Sequence, residues 1–259
     1  MPPDIAPDLT DDQFLGGALS VLQPAKGYRS GLDAVLVAAA TAAAPGQRVL
    51  DAGSGVGVVG LCIATRVSGA EILLVDNDPW LVDLASRNAE RNGLTERVRA
   101  VAADISQGLA ALRGPDRVPG LQAGAFDHVV SNPPYHVQGE GTEASLPFKA
   151  GAHQMPSAWL DGWLAFLHGA ARDRGKLTMI HRTEALPRLL AAMDRRFGTI
   201  RVRPIQSRPT VPASRMLVTA IKGGAGPFEL LPPLIVHNDD GTFRPEIAAL
   251  SKQPTAVLP

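Results

Sequence analysis

The sequence constrains its fold most through short, nearly unbroken apolar runs separated by helical segments. The runs are "QRVLDAG" (47–53), "AEILLVD" (70–76), "RVRAVAAD" (97–104), "FDHVVSN" (126–132) and "KLTMIHR" (176–182). Between them lie "VVGLCIATRVS" (58–68), "PWLVDLASRNAERNG" (79–93), with proline in its first turn and a closing glycine, and "PSAWLDGWLAFLHGAARDRG" (156–175). A strand with one wet face alternates polar and apolar residues. Runs that are apolar throughout are buried on both faces, and their alternation with helices predicts an α/β fold with a mostly parallel sheet. A helix at 184–198 leads to "TIRVRPIQ" (199–206) and "RMLVTAIK" (215–222), which have no helix between them. They predict an antiparallel hairpin across a loop carrying Pro209 and Pro212. Ahead of the first run, "GLDAVLVAAATAAA" (31–44) predicts a helix stopped by Pro45-Gly46.

Ligands of such sheets sit outside the carboxyl ends of the strands, so the residues closing four of the runs matter most. The first run opens into "VLDAGSGVGVVG", where Gly53, Gly55 and Gly57 permit a sharp turn and close approach of backbone to a ligand. Gly55, Gly57 and Gly60 also spell the weak dinucleotide pattern G-x-G-x-x-G. Asp51, just before the first glycine, would repel a pyrophosphate and suits a cationic ligand such as the amino-acid end of S-adenosylmethionine. Asp76 lies where a carboxylate takes both ribose hydroxyls, which fits either cofactor; Asp78 reads as a helix cap. Asp104 can accept from an adenine amino group or cap the next helix. The fourth run stops on Asn132-Pro133-Pro134-Tyr135. Two prolines fix the backbone, so the Asn132 side-chain oxygen and the Pro133 carbonyl can hold both N–H groups of a planar amine. Tyr135 can stack on that plane. Read alone, the same four residues are a stiff turn.

Together, Asp51-x-Gly53-x-Gly55-x-Gly57, Asp76, Asp104 and Asn132-Pro133-Pro134-Tyr135 resemble the class I S-adenosylmethionine-dependent methyltransferases that act on amino nitrogens. The segment "QPAKGYRSGLDAVLVAA" (23–39) is similar to the opening of the bacterial tRNA(Val) adenine-37 N6-methyltransferase family. The resemblance covers roughly residues 20–222 and implies a Rossmann-like, seven-stranded, mostly parallel sheet with an antiparallel last strand. It implies methyl transfer from S-adenosyl-L-methionine, leaving S-adenosyl-L-homocysteine, to adenine N6 in tRNA. It places Tyr28, Ser30 and Asp33 over the cofactor, with Asp51, Ala52, Gly53, Ser54, Gly55 and Gly57 around one end. Asp76, Asn77, Asp104, Ile105 and Asn132 surround the rest. Ser30 and Asp33 can equally begin the helix that follows. The implied division is an N-terminal extension, 1–45, and a catalytic domain, 46–259. Residues 136–156 read as a long loop able to cover a substrate.

Charge bears on the partner. Net charge is zero, yet residues 1–140 hold 10 basic against 16 acidic residues and residues 141–259 hold 15 against 9. Residues 172–222 carry 12 basic and 3 acidic residues, so Arg195, Arg196, Arg201, Arg203, Arg208 and Arg215 are candidate RNA contacts. A solvated helix face is the plainer reading of the same charges. Cys62 is alone, which excludes a disulfide framework and a cysteine metal cluster, and the six histidines, read as surface or loop residues, lack metal-ligand spacing. No metal, membrane span or export signal is expected, and a cytoplasmic enzyme fits. Trp159 and Trp163 are read as core packing; Glu246 and the acids of "HNDDGTF" as turn chemistry. Four readings compete. A protein-glutamine N5-methyltransferase or a guanine N2-methyltransferase would use the same chemistry, but about 45 residues before the glycine loop leave no room for the first one's usual substrate domain. An NAD-dependent oxidoreductase would leave Asp51 and residues 132–135 without a role. A non-catalytic RNA-binding relative would have no use for an intact Asp51 and Asn132.

Overall fold

The predicted alternation is realised in the computed structural model, which describes residues 8–27, 29–105, 108, 118–133, 157–253 and 258. In chain order the elements are β1 (Leu9–Phe14), β2 (Leu19–Pro24), α1 (Leu32–Ala40), β3 (Arg48–Ala52), α2 (Val58–Arg66), β4 (Glu71–Asp76) and α3 (Pro79–Arg91). There follow β5 (Val98–Ala102), β6 (Phe126–Ser131), α4 (Ser157–Ala170), β7 (Ala171–Arg182), α5 (Leu186–Met193), β8 (Phe197–Gln206) and β9 (Arg215–Lys222). The chain continues through β10 (Glu229–Leu230), β11 (Leu234–Ile235) and α6 (Pro245–Lys252).

The main sheet has the order β10-β8-β9-β7-β6-β3-β4-β5, with β11 also on β8. Among the described residues it has nine strands, of which β9 alone is antiparallel to its neighbours. The expected seven are β3 to β9. The two additions are two-residue strands on the free edge of β8, too short to leave a periodic signal. Each long strand is sandwiched because successive side chains enter opposite layers. Val49, Ile72, Leu74 and Val130 join the layer of α1, α2 and α3. Leu50, Leu73, Val75 and Val129 join Leu164, Phe166 and Leu167 of α4 and Leu189 and Met193 of α5. Three helices are shorter than expected: α1 ends at Ala40 rather than 44, α5 spans Leu186–Met193 rather than 184–198, and the helix expected to reach residue 175 ends at Ala170, because Ala171 already pairs with Phe126 before a bulge shifts the register to His128 and Lys176.

The N-terminal hairpin β1–β2 has no counterpart in the sequence reading, because its acidic "LTDDQF" lacks an apolar strand pattern. It is tied to α3 by side-chain amides that act as substitute strand partners. Asn88 accepts from the Leu22 N–H at 2.8 Å and donates to the Leu22 and Val56 carbonyls. Asn92 does the same for Ser20. At the other end of the described chain, α6 lies against Gly16, where any Cβ would run into the Lys252 carbonyl. The Leu258 N–H donates to the Ala39 carbonyl at 3.1 Å. The hairpin and α6 thus close over the α1 side of the sheet.

Two of the six histidines correct the reading as surface residues. His128 and His181 are buried strand residues. His128 Nε2 lies 3.1 Å from Gln47 Oε1, and burial followed by repulsion from Lys176 lowers its pKa to about 4. His136 and His153 lie outside the described residues. Asp240 accepts from the Thr242 N–H at 2.9 Å, the expected turn, but Glu246 stands in the first turn of α6.

Candidate active site

Strand β3 is the hinge of the sheet: the chain leaves it for β4 on one side and returns to β6 on the other. That is the switch point where open α/β sheets bind ligands. The pairing of Asp51 with Val130 sets the register, and Ser131 Oγ donates to the Ala52 carbonyl at 2.8 Å. Asn132 and Pro133, both buried, therefore follow β6 directly beside the loop that follows β3.

The glycine loop is held from below. Gly53 and Ser54 N–H both donate to the Val75 carbonyl, at 2.8 and 3.0 Å. Gly53, Gly55 and Gly57 have φ of 70°, 55° and 92°, a region that penalises any side chain. Their surroundings differ. A Cβ on Gly53 would lie 2.7 Å from the Trp163 ring, and one on Gly57 2.8 Å from Leu74, whereas one on Gly55 would meet nothing within 4 Å. Gly53 and Gly57 are thus demanded by packing, and Gly55 borders open space. Its N–H donates to Asp76 Oδ2 at 2.8 Å, and Asp76 Oδ1 accepts from Asp78 N–H at 3.1 Å. Each carboxylate oxygen keeps a lone pair for a hydroxyl donor. Asp76 is nearly buried, and desolvation raises its pKa against the pull of these hydrogen bonds.

Asp51 lies under the loop rather than in its mouth. It is fully buried; Oδ2 accepts from the Gly60 N–H at 3.0 Å, while Oδ1 has no hydrogen-bond partner among the described residues. Burial, and next to it the charge of Asp76, push its pKa up to about 7. A buried carboxyl with an unmet oxygen acts on a ligand by its field, and that field favours a cation and opposes a pyrophosphate. The residues present therefore fit S-adenosylmethionine: hydroxyl acceptors at Asp76, open backbone at Gly55, and negative charge beneath.

The other predicted residues divide. Asp78 caps α3, accepting from Trp80 N–H at 2.9 Å. Asn77 and Asp104 are exposed near the strand ends, and Ile105 is buried in the α4 layer. Neither Ser30 nor Asp33 caps α1, whose N-cap is Gly31 without a side-chain bond. Ser30 is instead pinned by buried Gln23, whose amide accepts from its N–H at 2.8 Å and donates to its carbonyl at 3.1 Å. Asp33 forms an ion pair with Arg215 at 2.8 Å, joining the first turn of α1 to the start of β9. Tyr28, Pro134 and Tyr135, like residues 136–156, lie outside the described residues.

The six arginines do not form one patch. Arg195 and Arg196 precede β8, Arg201 and Arg203 lie along it, and Arg208 and Arg215 flank the loop at its far end. Arg196 pairs with Asp161 and Arg201 with Glu229. Clustering in sequence along an extended strand spreads charge in space, at about 3.3 Å per residue.

Sequence reasoning missed the role of one residue. Trp163 is not core filler alone: its indole N–H donates to Ser131 Oγ at 3.1 Å while its ring edge confines Gly53. Trp159 packs against it, the ring centroids 4.2 Å apart and the planes tilted by 32°. One side chain on α4 thus ties the end of β3 to the residue preceding Asn132. The tryptophan spacing is the only sequence signal, and it equally suits plain packing.

Residues 31–155 match the sequence family described as the methyltransferase small domain. A predicted O-methyltransferase of Agrobacterium tumefaciens, known from a crystal structure, superposes with a TM-score of 0.71 at 29% identity, over 87% of this chain and 98% of that one. The fold is that of a class I methyltransferase. Two curated relatives of this methyltransferase fold differ in how far they extend. The release factor glutamine methyltransferase of Chlorobaculum tepidum is 36% identical over 106 residues, 40% of this chain, and the chain spans 33% of that protein's length. The tRNA1(Val) (adenine(37)-N6)-methyltransferase of Tolumonas auensis is 28% identical over 229 residues, 86% of this chain and 88% of that protein. Among the described residues no group of side chains could hold a metal ion, and no helix is long and apolar enough to cross a membrane.

Proposed function

We propose that the chain transfers a methyl group from S-adenosyl-L-methionine to an exocyclic amino nitrogen, the N6 of adenine in a tRNA, in the cytoplasm. The observation that carries this reading is the placement of Asn132 and Pro133 at the end of β6, next to the glycine loop and locked to it through Ser131. The bound cofactor supplies an electrophilic methyl group on a sulfonium. Asp76 takes the ribose hydroxyls, and Asp51 favours the positive charge from beneath the loop. The Asn132 oxygen and the Pro133 carbonyl accept the two N–H groups of the target amine, which holds its plane and turns its lone pair outward. Tyr135 stacks on the base. A strong base is unnecessary, because the proton departs from a nitrogen made cationic by methylation. A hydroxyl substrate would need one, and Asn132 cannot take a proton, which favours an amine over an alcohol. Residues 1–45 then serve as the cofactor-covering extension of a catalytic domain at 46–259.

The tRNA reading is supported by the likeness that runs nearly the full length of the Tolumonas auensis protein. Glutamine methylation is the second reading. It is favoured by the higher identity to the Chlorobaculum tepidum protein, but that likeness covers 106 residues and only 33% of that protein's length. Nucleoside mass spectrometry of tRNA from cells with and without the gene decides between them. Loss of N6-methyladenosine is expected; intact tRNA with loss of N5-methylglutamine from a protein overturns the tRNA reading.

A further inference from the structure

The beginnings of β7 and β8 and the end of β9 enclose an open cavity of about 570 Å³ at the end of the sheet opposite the glycine loop. His168, Arg174, Arg195, Arg196 and Lys222 line it, and Asp173 is the one acid among its described lining residues. Two of the cations have no carboxylate partner among the described residues. Lys222 Nζ is held by the carbonyls of His168 and Ala171, at 2.9 and 2.8 Å, and Arg174 by the Gly223 carbonyl at 3.0 Å. Arg196 pairs with Asp161 at 2.8 Å, and Arg195, 93% exposed, stands 3.8 Å from Asp194. His168 registers the resulting field: burial first, then Lys222 and Arg196, hold its imidazole below its ordinary range. Backbone conformation adds an independent sign. Arg174 and Arg195 have φ of 62° and 59°, where glycine is at ease and arginine is strained. A fold that keeps two arginines in that region around one cavity retains them against the local preference, as binding sites do.

We propose that this cavity binds backbone phosphates of the RNA substrate, as a second anchor remote from the methyl-transfer site. The inference rests on the reading above that the substrate is RNA. Guanidinium groups and an ammonium converging on an open cleft match phosphate oxygens in charge and donor geometry. From Arg174 to Arg182 along β7 the distance is roughly 25 Å at about 3.3 Å per residue. An RNA whose target base lies at Asn132 must therefore run several nucleotides along the protein to reach the cavity. Such an anchor adds affinity and leaves the chemistry alone.

The test replaces Arg174 and Arg195 together by glycine, which removes both charges and relieves the backbone. A single Arg195→Glu variant, at a side chain too exposed to support the core, guards against a folding artefact. Binding of tRNA to the full chain is followed across a salt series, with adenosylmethionine affinity, KM and kcat measured alongside. Each lost phosphate contact removes about 0.7 from the log–log salt slope and about fivefold in affinity near 0.1 M salt. The double variant is expected to bind tRNA about 25-fold more weakly with a slope shallower by about 1.4, to raise KM, and to keep kcat and cofactor affinity. Unchanged slope and affinity in variants that still methylate tRNA overturn the anchor and leave the proposed function standing. A wild-type chain that neither binds nor methylates tRNA overturns the proposed substrate, and the anchor with it.

Discussion

Gly53 and Gly55 share a left-handed backbone but differ in what lies around them, and replacing each by alanine separates packing from ligand space. At either position alanine in that conformation costs about 1–2 kcal/mol. At Gly53 the new methyl also lands 2.7 and 2.8 Å from two atoms of the Trp163 ring. That ring cannot swing away freely, because its N–H is bonded to Ser131 and Trp159 packs against it. Forcing a methyl into such a contact adds about 1–3 kcal/mol. The expected loss is therefore about 2–5 kcal/mol for Gly53→Ala and about 1–2 kcal/mol for Gly55→Ala. At about 2–4 °C per kcal/mol for a chain of this size, the first lowers the melting temperature by roughly 4–20 °C and the second by roughly 2–8 °C. Cofactor binding should reverse the order in one respect: Gly55→Ala, the less destabilised of the two, places its methyl where a ligand passes and should weaken adenosylmethionine binding. Calorimetric unfolding without cofactor and titration with it read both. Combining Gly53→Ala with Trp163→Leu makes room for the methyl and should show a favourable coupling of about 1–3 kcal/mol. Equal losses for the two alanines, with strictly additive energies in the double variant, would refute the claim that Trp163 confines the loop.

Asn132→Ala should keep cofactor affinity and lose most turnover; calorimetry paired with a methyl-transfer assay checks it, and undiminished turnover rejects the amine-holding role. Asp76→Ala should weaken cofactor binding at least tenfold, because a buried acceptor is lost from the ribose hydroxyls; equal affinity counts against that contact. Asp51 makes a pH prediction of definite sign. Its folded pKa, about 7, exceeds the ordinary carboxylate value, so the stability it contributes is full below about pH 4 and is lost as pH rises through 7. Buried His128, lowered to about 4, works in the opposite sense between pH 4 and 6.5, so the informative quantity is the difference between wild type and Asp51→Asn. That difference should shrink steadily from pH 4 to 8 in thermal unfolding. A cationic ligand favours the ionised carboxyl, so wild-type cofactor affinity should rise from pH 6 to 8 and that rise should vanish in Asp51→Asn; a flat wild-type profile excludes the field effect.

What the sequence made legible follows from which forces are local. β3, β4 and β6 were readable because burial on both faces forces continuous apolar runs, and their polar final residues stand out against those runs. The hairpin of β8 and β9 was readable because no helix could fit between its strands. β1 was hidden because Asn88 and Asn92, far along the chain, supply what an apolar partner face would otherwise supply. The same limit hid Trp163, whose significance lies in touching Gly53 and Ser131 at once, a coincidence of three distant segments. Asp51 was recognised as a site residue suited to a cationic ligand, but its depth was not legible, because it depends on the Gly60 N–H of α2, which a spacing pattern cannot show. Whether the arginines of 172–222 share one patch was not legible, because neighbours in sequence need not be neighbours in space, and a strand separates them.

The central claim, that a methyl group passes from adenosylmethionine held beside Asp76 to an amine held by Asn132, is tested most directly in one reaction. Purified chain, adenosylmethionine with an isotopically labelled methyl group and unmodified tRNA are incubated, and the digested nucleosides are read by mass spectrometry. The account predicts label in N6-methyladenosine from wild type and almost none from Asn132→Ala. Label on a ribose hydroxyl, or equal label from both proteins, would contradict it.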